Sequence, residues 1–385
     1  MQRVPAPSQL IATGVEFCDF VKGIGPSSQS VSCNNRNVTI PGDKQTSARP
    51  YWLALDGLRG LAVLLVLGDH SGLIAKGHPA GAVGVTIFFV LSGFLITNVI
   101  SVARDRGTWS FRNFFGNRLA RLFPALILME LVIGTWWLLD GRPWQLLLEY
   151  VASATLYLED FLHGRHNQTL LSHTWSLAVE EQFYLIWPFL VPVMMRSKRS
   201  IVWMVGVLVA VSIGSRLVLA AAGMANFAYA NIVTNAYALL IGCAIALLSL
   251  RIRQRQYRVI LGAAAGLVLI FCAVGPVVPQ GYIILPILAA FAAGILVLSI
   301  LDGSDVFEWA PLRFVGRISY SLYLWHWPLL LMSGSLFGGG AALPMIALSF
   351  VIATASTLLV EEPIRRAWRR RNRSRTTHAA VTATT

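Results

Sequence analysis

The chain has 385 residues and a formal net charge of +13, yet only 13% of its residues are charged and 56% are hydrophobic. Soluble domains carry about 25% charged residues, so this composition, with a mean hydropathy of +0.63, excludes a soluble fold and points to a membrane. The positive charge is not a nucleic-acid footprint, because it gathers in short clusters between apolar runs and there carries topology.

Residues 1–50 hold no long apolar run and read as a flexible cytoplasmic tail without chemistry. Eleven apolar runs follow: Trp52–Ile74, Val83–Ala103, Leu122–Leu139, Leu146–Leu162, Thr174–Met195, Ile201–Ala222, Ile232–Leu250, Val259–Val274, Tyr282–Leu301, Phe314–Leu336 and Leu343–Val360. Most approach the ~20 residues that a spanning helix needs. Basic clusters lie at 104–121, 196–199, 251–258 and 365–375. The positive-inside rule places them all on the cytoplasmic side, which requires an even number of crossings between the first two. Three runs lie there, and Leu146–Leu162 is the weakest, being short and carrying Glu149, Glu159 and Asp160. It is therefore expected to lie in the interface or to re-enter. The predicted fold class is all-α, a polytopic bundle of ten transmembrane helices plus that one. Both termini are placed in the cytoplasm of a cell whose membrane holds the domain from 51 to 363, and a basic tail follows. The four cysteines show no metal or redox spacing.

Within the first run, Asp56 and Arg59 open the stretch Leu55–His70, and Asp69 and His70 close it. At about 100° and 1.5 Å per residue, Arg59 and His70 return to one helix face some ~16 Å apart. Asp56 is placed to pair with Arg59. Titratable groups inside a membrane helix are costly and default to function; an interfacial Asp–Arg pair with a snorkelling histidine is the plain alternative. Gly84, Ser92 and Gly93 form a small-residue surface for close helix packing. Arg118 and Arg121, three apart at the start of a run, suit a phosphate, against simple anchoring on anionic lipid.

On a helix beginning at Ser172, His173, Glu180, Tyr184 and Trp187 share a face. Glu159, His163, His166 and His173 match no standard metal set, so no metal is expected. Arg216 is the lone charge of its run, and Glu180 or Glu181 is assigned as its partner. Ser319, Tyr323 and His326 also line one face; His326, between two tryptophans, ranks behind His70 as a base.

Taken in order, these motifs resemble the acyltransferase family 3 membrane proteins, bacterial integral-membrane O-acyltransferases related to polysaccharide O-acetylases and macrolide O-acyltransferases. The likeness is carried by Leu55-Asp56-Gly57-Leu58-Arg59-Gly60 with His70, by Phe88-Phe89-Val90-Leu91-Ser92-Gly93-Phe94, and by Arg118 and Arg121 with Pro124. It continues in Thr174-Trp175-Ser176-Leu177, Glu180-Glu181-Gln182-Phe183-Tyr184 and Ser319 to His326. The resemblance implies transfer of an acyl group, commonly acetyl from acetyl-CoA, to a hydroxyl of a glycan, glycolipid or small molecule. Arg59 and His70 match the family's essential arginine and histidine.

On this reading His70 is the general base, aided by Arg59 and Glu180. Arg59, Arg118 and Arg121 hold the CoA phosphates, and Tyr184, Tyr323 and His326 bind the acceptor. The expected partners are membrane lipids, acyl-CoA and the hydroxyl-bearing acceptor, with neither a metal nor nucleic acid. Two positions depart from the family pattern: Thr86, where many members carry an acid, and Asp69, where many lack one. With no hydrolase-like domain after the last run, transfer is expected to be completed unaided or with a separate partner. The competing readings are a transporter or channel using the intramembrane charges, and a non-catalytic membrane protein.

Overall fold

Backbone groups in lipid find no water and must close their hydrogen bonds internally, and the apolar runs of this chain do so as helices. The structure, a computed structural model, describes residues 32–34, 37–39, 52–162, 169–195, 197–275, 281–337 and 342–382. The chain divides into two units, residues 1–51 and 52–385. In the first, β1 (Ser32–Asn34) pairs antiparallel with β2 (Asn37–Thr39), Cys33 opposite Val38. The rest of the expected tail lies outside the described residues.

The second unit is helical. Its first half comprises α1 (Leu53–His70), α2 (Ala80–Asp105), α3 (Phe111–Leu139), α4 (Trp144–Thr155), the single turn α5 (Glu159–Leu162), a 3-10 turn (Ser172–Thr174) and α6 (Trp175–Met194). The second half comprises α7 (Lys198–Ala221), α8 (Ala225–Ala230), α9 (Ile232–Leu247), α10 (Arg255–Val274), α11 (Gly281–Ile300), α12 (Ala310–Phe337), α13 (Ala342–Ser356), a π turn (Thr357–Glu361) and α14 (Glu362–Thr382). Among the described residues, eight helices are long and apolar enough to cross a membrane by length and composition alone. α1 and α12 fall outside that group. α1 carries Asp56, Arg59 and Asp69, and α12 carries Arg313, Arg317 and His326. These two helices supply much of the candidate site.

Residue pairing gives the helix directions. Arg59 meets Ser319 and His70 meets His326, so α1 and α12 run parallel. Ser92 meets Glu180 and Thr97 meets Trp187, so α2 and α6 run parallel as well. Helices that run the same way across a bundle are separated by an odd number of other crossings. Between α2 and α6 only α3 can then cross, and α4 cannot. With 12 residues, α4 is also about 18 Å long against a ~30 Å hydrocarbon core.

Close approach of α1 and α12 needs glycine at the contact. A Cβ on Gly60 would sit 2.2 Å from the carbonyl oxygen of Leu312, and one on Gly316 would sit 1.7 Å from that of Asp56. The basic segments share one end of this unit. Arg251 lies over Trp52 at the start of α1, Trp368 packs on Gly116 near the start of α3, and Phe111 stacks on Phe189 toward the end of α6.

Arg216 corrects one expectation. It bonds neither glutamate; its guanidinium donates to the carbonyls of Ile283 (3.0 Å), Ala228 (3.0 Å) and Tyr282 (2.8 Å) and to Asn235 Oδ1 (3.0 Å). The reason is position: at the far end of α7 it meets backbone carbonyls in the last turn of α8 and the first turn of α11, where Pro286 leaves the Tyr282 carbonyl without its i+4 donor, and these satisfy a buried cation without a carboxylate. It ties α7, α8, α9 and α11 together.

Candidate active site

Two groups of polar side chains meet where α1, α2, α3, α6 and α12 converge. The first is built on arginines. Arg59, half-buried on α1, donates from Nη2 to Ser319 Oγ at 3.0 Å and lies 5.7 Å from the centre of the Phe88 ring. Arg118 grips Glu181 with two donors, Nε at 3.2 Å from Oε2 and Nη2 on Oε1. Its guanidinium also stacks 3.7 Å above the Tyr184 ring, a geometry that lysine does not reproduce. Glu180 accepts from Ser92 Oγ at 2.9 Å, and the Tyr184 hydroxyl lies 3.5 Å from its other oxygen.

Arg121, one turn beyond Arg118, is exposed, and among the described residues no hydrogen bond or ion pair engages it. It lies within electrostatic reach of Arg59, Arg118 and Arg365. Glu181 pairs with Arg118 and the Glu361 carboxylate lies within electrostatic reach of Arg121, so the gathering is partly balanced; Arg121 keeps its donors open, and Arg forks suit phosphate. Arg59, Ser92, Arg118, Glu180 and Glu181 are each only partly covered, so they border accessible space rather than closed core.

The second group is a histidine cluster. His70, at the last residue of α1, places Nδ1 2.9 Å from His326 Nε2, with the rings 7° from parallel. The Trp327 ring lies 4.7 Å from His70, covering it without closing it off, and His70 remains half-buried. His326 is fully buried, and its Nδ1 lies 2.7 Å from the carbonyl oxygen of Tyr323. His173 packs edge-on against His326 with ring centres 5.6 Å apart, and its Nε2 lies 3.1 Å from the carbonyl oxygen of Leu324. The Tyr323 hydroxyl donates to the His173 carbonyl at 2.7 Å and lies 2.7 Å from Ser176 Oγ.

The residues expected to act together therefore separate into two sets. Arg59, Arg118, Arg121, Glu180 and Tyr184 form the arginine group, whereas His70, Tyr323 and His326 form the histidine group. Tyr323 and His326, expected to bind acceptor, make their polar contacts within the protein; His70 and Arg121 keep accessible surface. The predicted shared face of His173, Glu180, Tyr184 and Trp187 is broken at His173. The chain forms a 3-10 turn at Ser172–Thr174 before α6 begins, which turns His173 toward α12. His163 and His166 lie outside the described residues. Ser319 as the seat of Arg59 and Glu181 as the anchor of Arg118 are additions. The first was visible only as a polar position on the Tyr323 and His326 face, and the second as the neighbour of Glu180 and an alternative partner for Arg216.

The profile of the family described as "Acyltransferase domain" matches residues 52–361, so the chain is a member of that family. A Bacillus subtilis relative, YrhL, is 30% identical over 362 residues, covering 83% of this chain and 56% of its own length. The peptidoglycan O-acetyltransferase OatA of Listeria monocytogenes is 28% identical over 359 residues, covering 83% of this chain and 56% of that protein. The O-acetyltransferase OatA of Staphylococcus aureus is 29% identical over 359 residues, covering 84% and 58%. The chain thus spans little more than half the length of these relatives. No solved structure gives a significant match.

Proposed function

We propose, for a chain that belongs to this acyltransferase family, that it is a multi-pass membrane O-acyltransferase carrying an acetyl group from acyl-CoA to a hydroxyl of a glycan, with His70 as the base. One observation carries this reading: His70 is a half-buried imidazole held by a second histidine inside a bundle of membrane helices, on the same helix as an arginine. A neutral imidazole with an accessible lone pair can take a proton from a hydroxyl.

Arg121, which makes no hydrogen bond or ion pair among the described residues, supports a phosphate-bearing donor, with Arg59 within electrostatic reach of it. Because the basic segments share one end, the positive-inside rule makes that end, and both termini, cytoplasmic, where acyl-CoA is available. Two of the relatives, YrhL and the Listeria monocytogenes OatA, are named for peptidoglycan O-acetylation, which points to peptidoglycan as the acceptor class. In the reaction, His70 takes the acceptor's hydroxyl proton as its oxygen bonds to the thioester carbonyl carbon. The carbon–sulfur bond then breaks, and the departing CoA sulfur receives the proton from His70.

The test is His70→Ala in proteoliposomes with acetyl-labelled CoA and a peptidoglycan fragment. Transfer is expected to fall by ~100- to 10⁴-fold, as for loss of a general base, with expression and thermal midpoint unchanged. Retained turnover overturns the assignment.

A further inference from the structure

We infer that His326 is the positioning residue that fixes the tautomer of His70, so that Nε2 of His70 is the nitrogen free to take a proton. The inference rests on the reading of His70 as base and adds the atom and the cause. It follows from which groups can donate. His326 Nδ1 lies 2.7 Å from the Tyr323 carbonyl oxygen and 3.2 Å from that of Leu322. A carbonyl only accepts, so His326 Nδ1 carries the hydrogen; a lone pair there would face two oxygens.

In a neutral imidazole the other nitrogen is then an acceptor. A doubly protonated ring at this fully buried position, among carbonyls and rings, would be a charge without a carboxylate beside it. His326 Nε2 therefore accepts, and the 2.9 Å contact with His70 Nδ1 must be donated by His70. With Nδ1–H committed to His326, the His70 lone pair lies on Nε2, away from His326.

The backbone explains why the arrangement is stable. Tyr323 and Leu322 lie three and four residues before His326 on α12, so the carbonyls that fix His326 belong to its own helix and move with it. Tyr323 is in turn held by its hydroxyl bond to the carbonyl of His173. The chain of command runs from helix carbonyl to His326 to His70, with no titrating side chain at its root. An acid orienting a catalytic histidine does the same task in serine proteases, where the wrong tautomer lowers kcat by about 10⁴.

The decisive measurement is the tautomer itself, read from imidazole ¹⁵N shifts in histidine-labelled protein, with the His70 signals assigned by their loss in His70→Asn. Wild type is expected to show the Nδ1–H form of His70; a predominant Nε2–H form overturns the inference. His326→Phe keeps a ring but removes both nitrogens. It should release His70 into a mixture of tautomers and lower kcat by ~100- to 10⁴-fold, the scale of a lost orienting group, with little change in KM. His326→Gln retains an oxygen near the Nε2 position and should recover at least ~10-fold of that loss.

A His326→Phe protein that unfolds is separated from this outcome by its thermal midpoint, and the wild-type spectrum decides the matter without it. The two readings also fail differently. An active His70→Ala removes the base while leaving the tautomer measurement intact. An inactive His70→Ala with Nε2–H in wild type removes only the role of His326.

Discussion

Replacing Gly316 with alanine asks how closely α1 and α12 must pack for the site to exist. The new Cβ would lie 1.7 Å from the Asp56 carbonyl oxygen, 2.6 Å from its carbon and 3.1 Å from the Gly60 nitrogen. Carbon and oxygen rest no closer than ~3.3 Å even in C–H···O contacts, so the helices must part by roughly 1.5 Å. The obstructing atoms are backbone and cannot rotate away. Three residues along, the Arg59 to Ser319 bond is 3.0 Å, and a shift of that size takes it beyond the ~3.2 Å limit of an N–H···O bond. Overpacking of this kind costs about 1–3 kcal/mol, and a ~1 Å misplacement in a catalytic site costs on the order of 100-fold in rate. Gly206 and Gly214 on α7 are the controls, because a Cβ there meets nothing within 4 Å. Alanine at those positions should stabilise the helix by ~0.5–1 kcal/mol. The assay is acyl-transfer kinetics in proteoliposomes beside thermal unfolding in one detergent. A Gly316→Ala protein with wild-type kcat and midpoint would refute the close-packing argument, as would a Gly214→Ala protein losing as much activity.

Two further outcomes follow from named contacts. Arg216→Met removes a buried cation and leaves three carbonyls and Asn235 without their donor. It should lower stability by ~1–3 kcal/mol, the cost of buried acceptors left without a donor, while KM in any folded fraction stays near wild type; unchanged thermal unfolding would contradict the strut assigned to it. Arg121→Gln should raise KM for acyl-CoA by ~3- to 10-fold with kcat nearly unchanged and flatten its salt dependence, as for a partly exposed charge contact. A KM that does not move would place the donor phosphates elsewhere.

Much of the helical architecture is legible in the sequence because its causes are local. Run lengths and arginine clusters are enough to find the bundle and to single out Leu146–Leu162, which falls on the 12-residue helix Trp144–Thr155 and the single turn Glu159–Leu162. Pairing across helices is not local. Arg216 looks like half of an ion pair because a hydropathy pattern displays side chains but not carbonyls left open at helix ends. His173 sits on the predicted helical face only if the helix begins before it, and the 3-10 turn cancels that periodicity. His70 was identifiable as a candidate from its own helix. Its partner His326 is 256 residues away, and nothing in either segment reveals that their nitrogens meet.

The depth of the site is also set by a helix other than the one that carries His70. Along α1, Arg59 and His70 are eleven residues apart, which is about 16 Å of helix. Their partners on α12, Ser319 and His326, are seven residues apart, which is about 10 Å. Both pairs are in contact, so the side chains of Arg59 and His70 must converge, and the working distance between guanidinium and imidazole is nearer ~10 Å than ~16 Å. A donor anchored at the arginine group therefore needs to reach only about two helical turns to present its carbonyl carbon to His70. The parallel run of α1 and α12 sets the order of these partners, Ser319 before His326; an antiparallel helix would have to carry them in the reverse order.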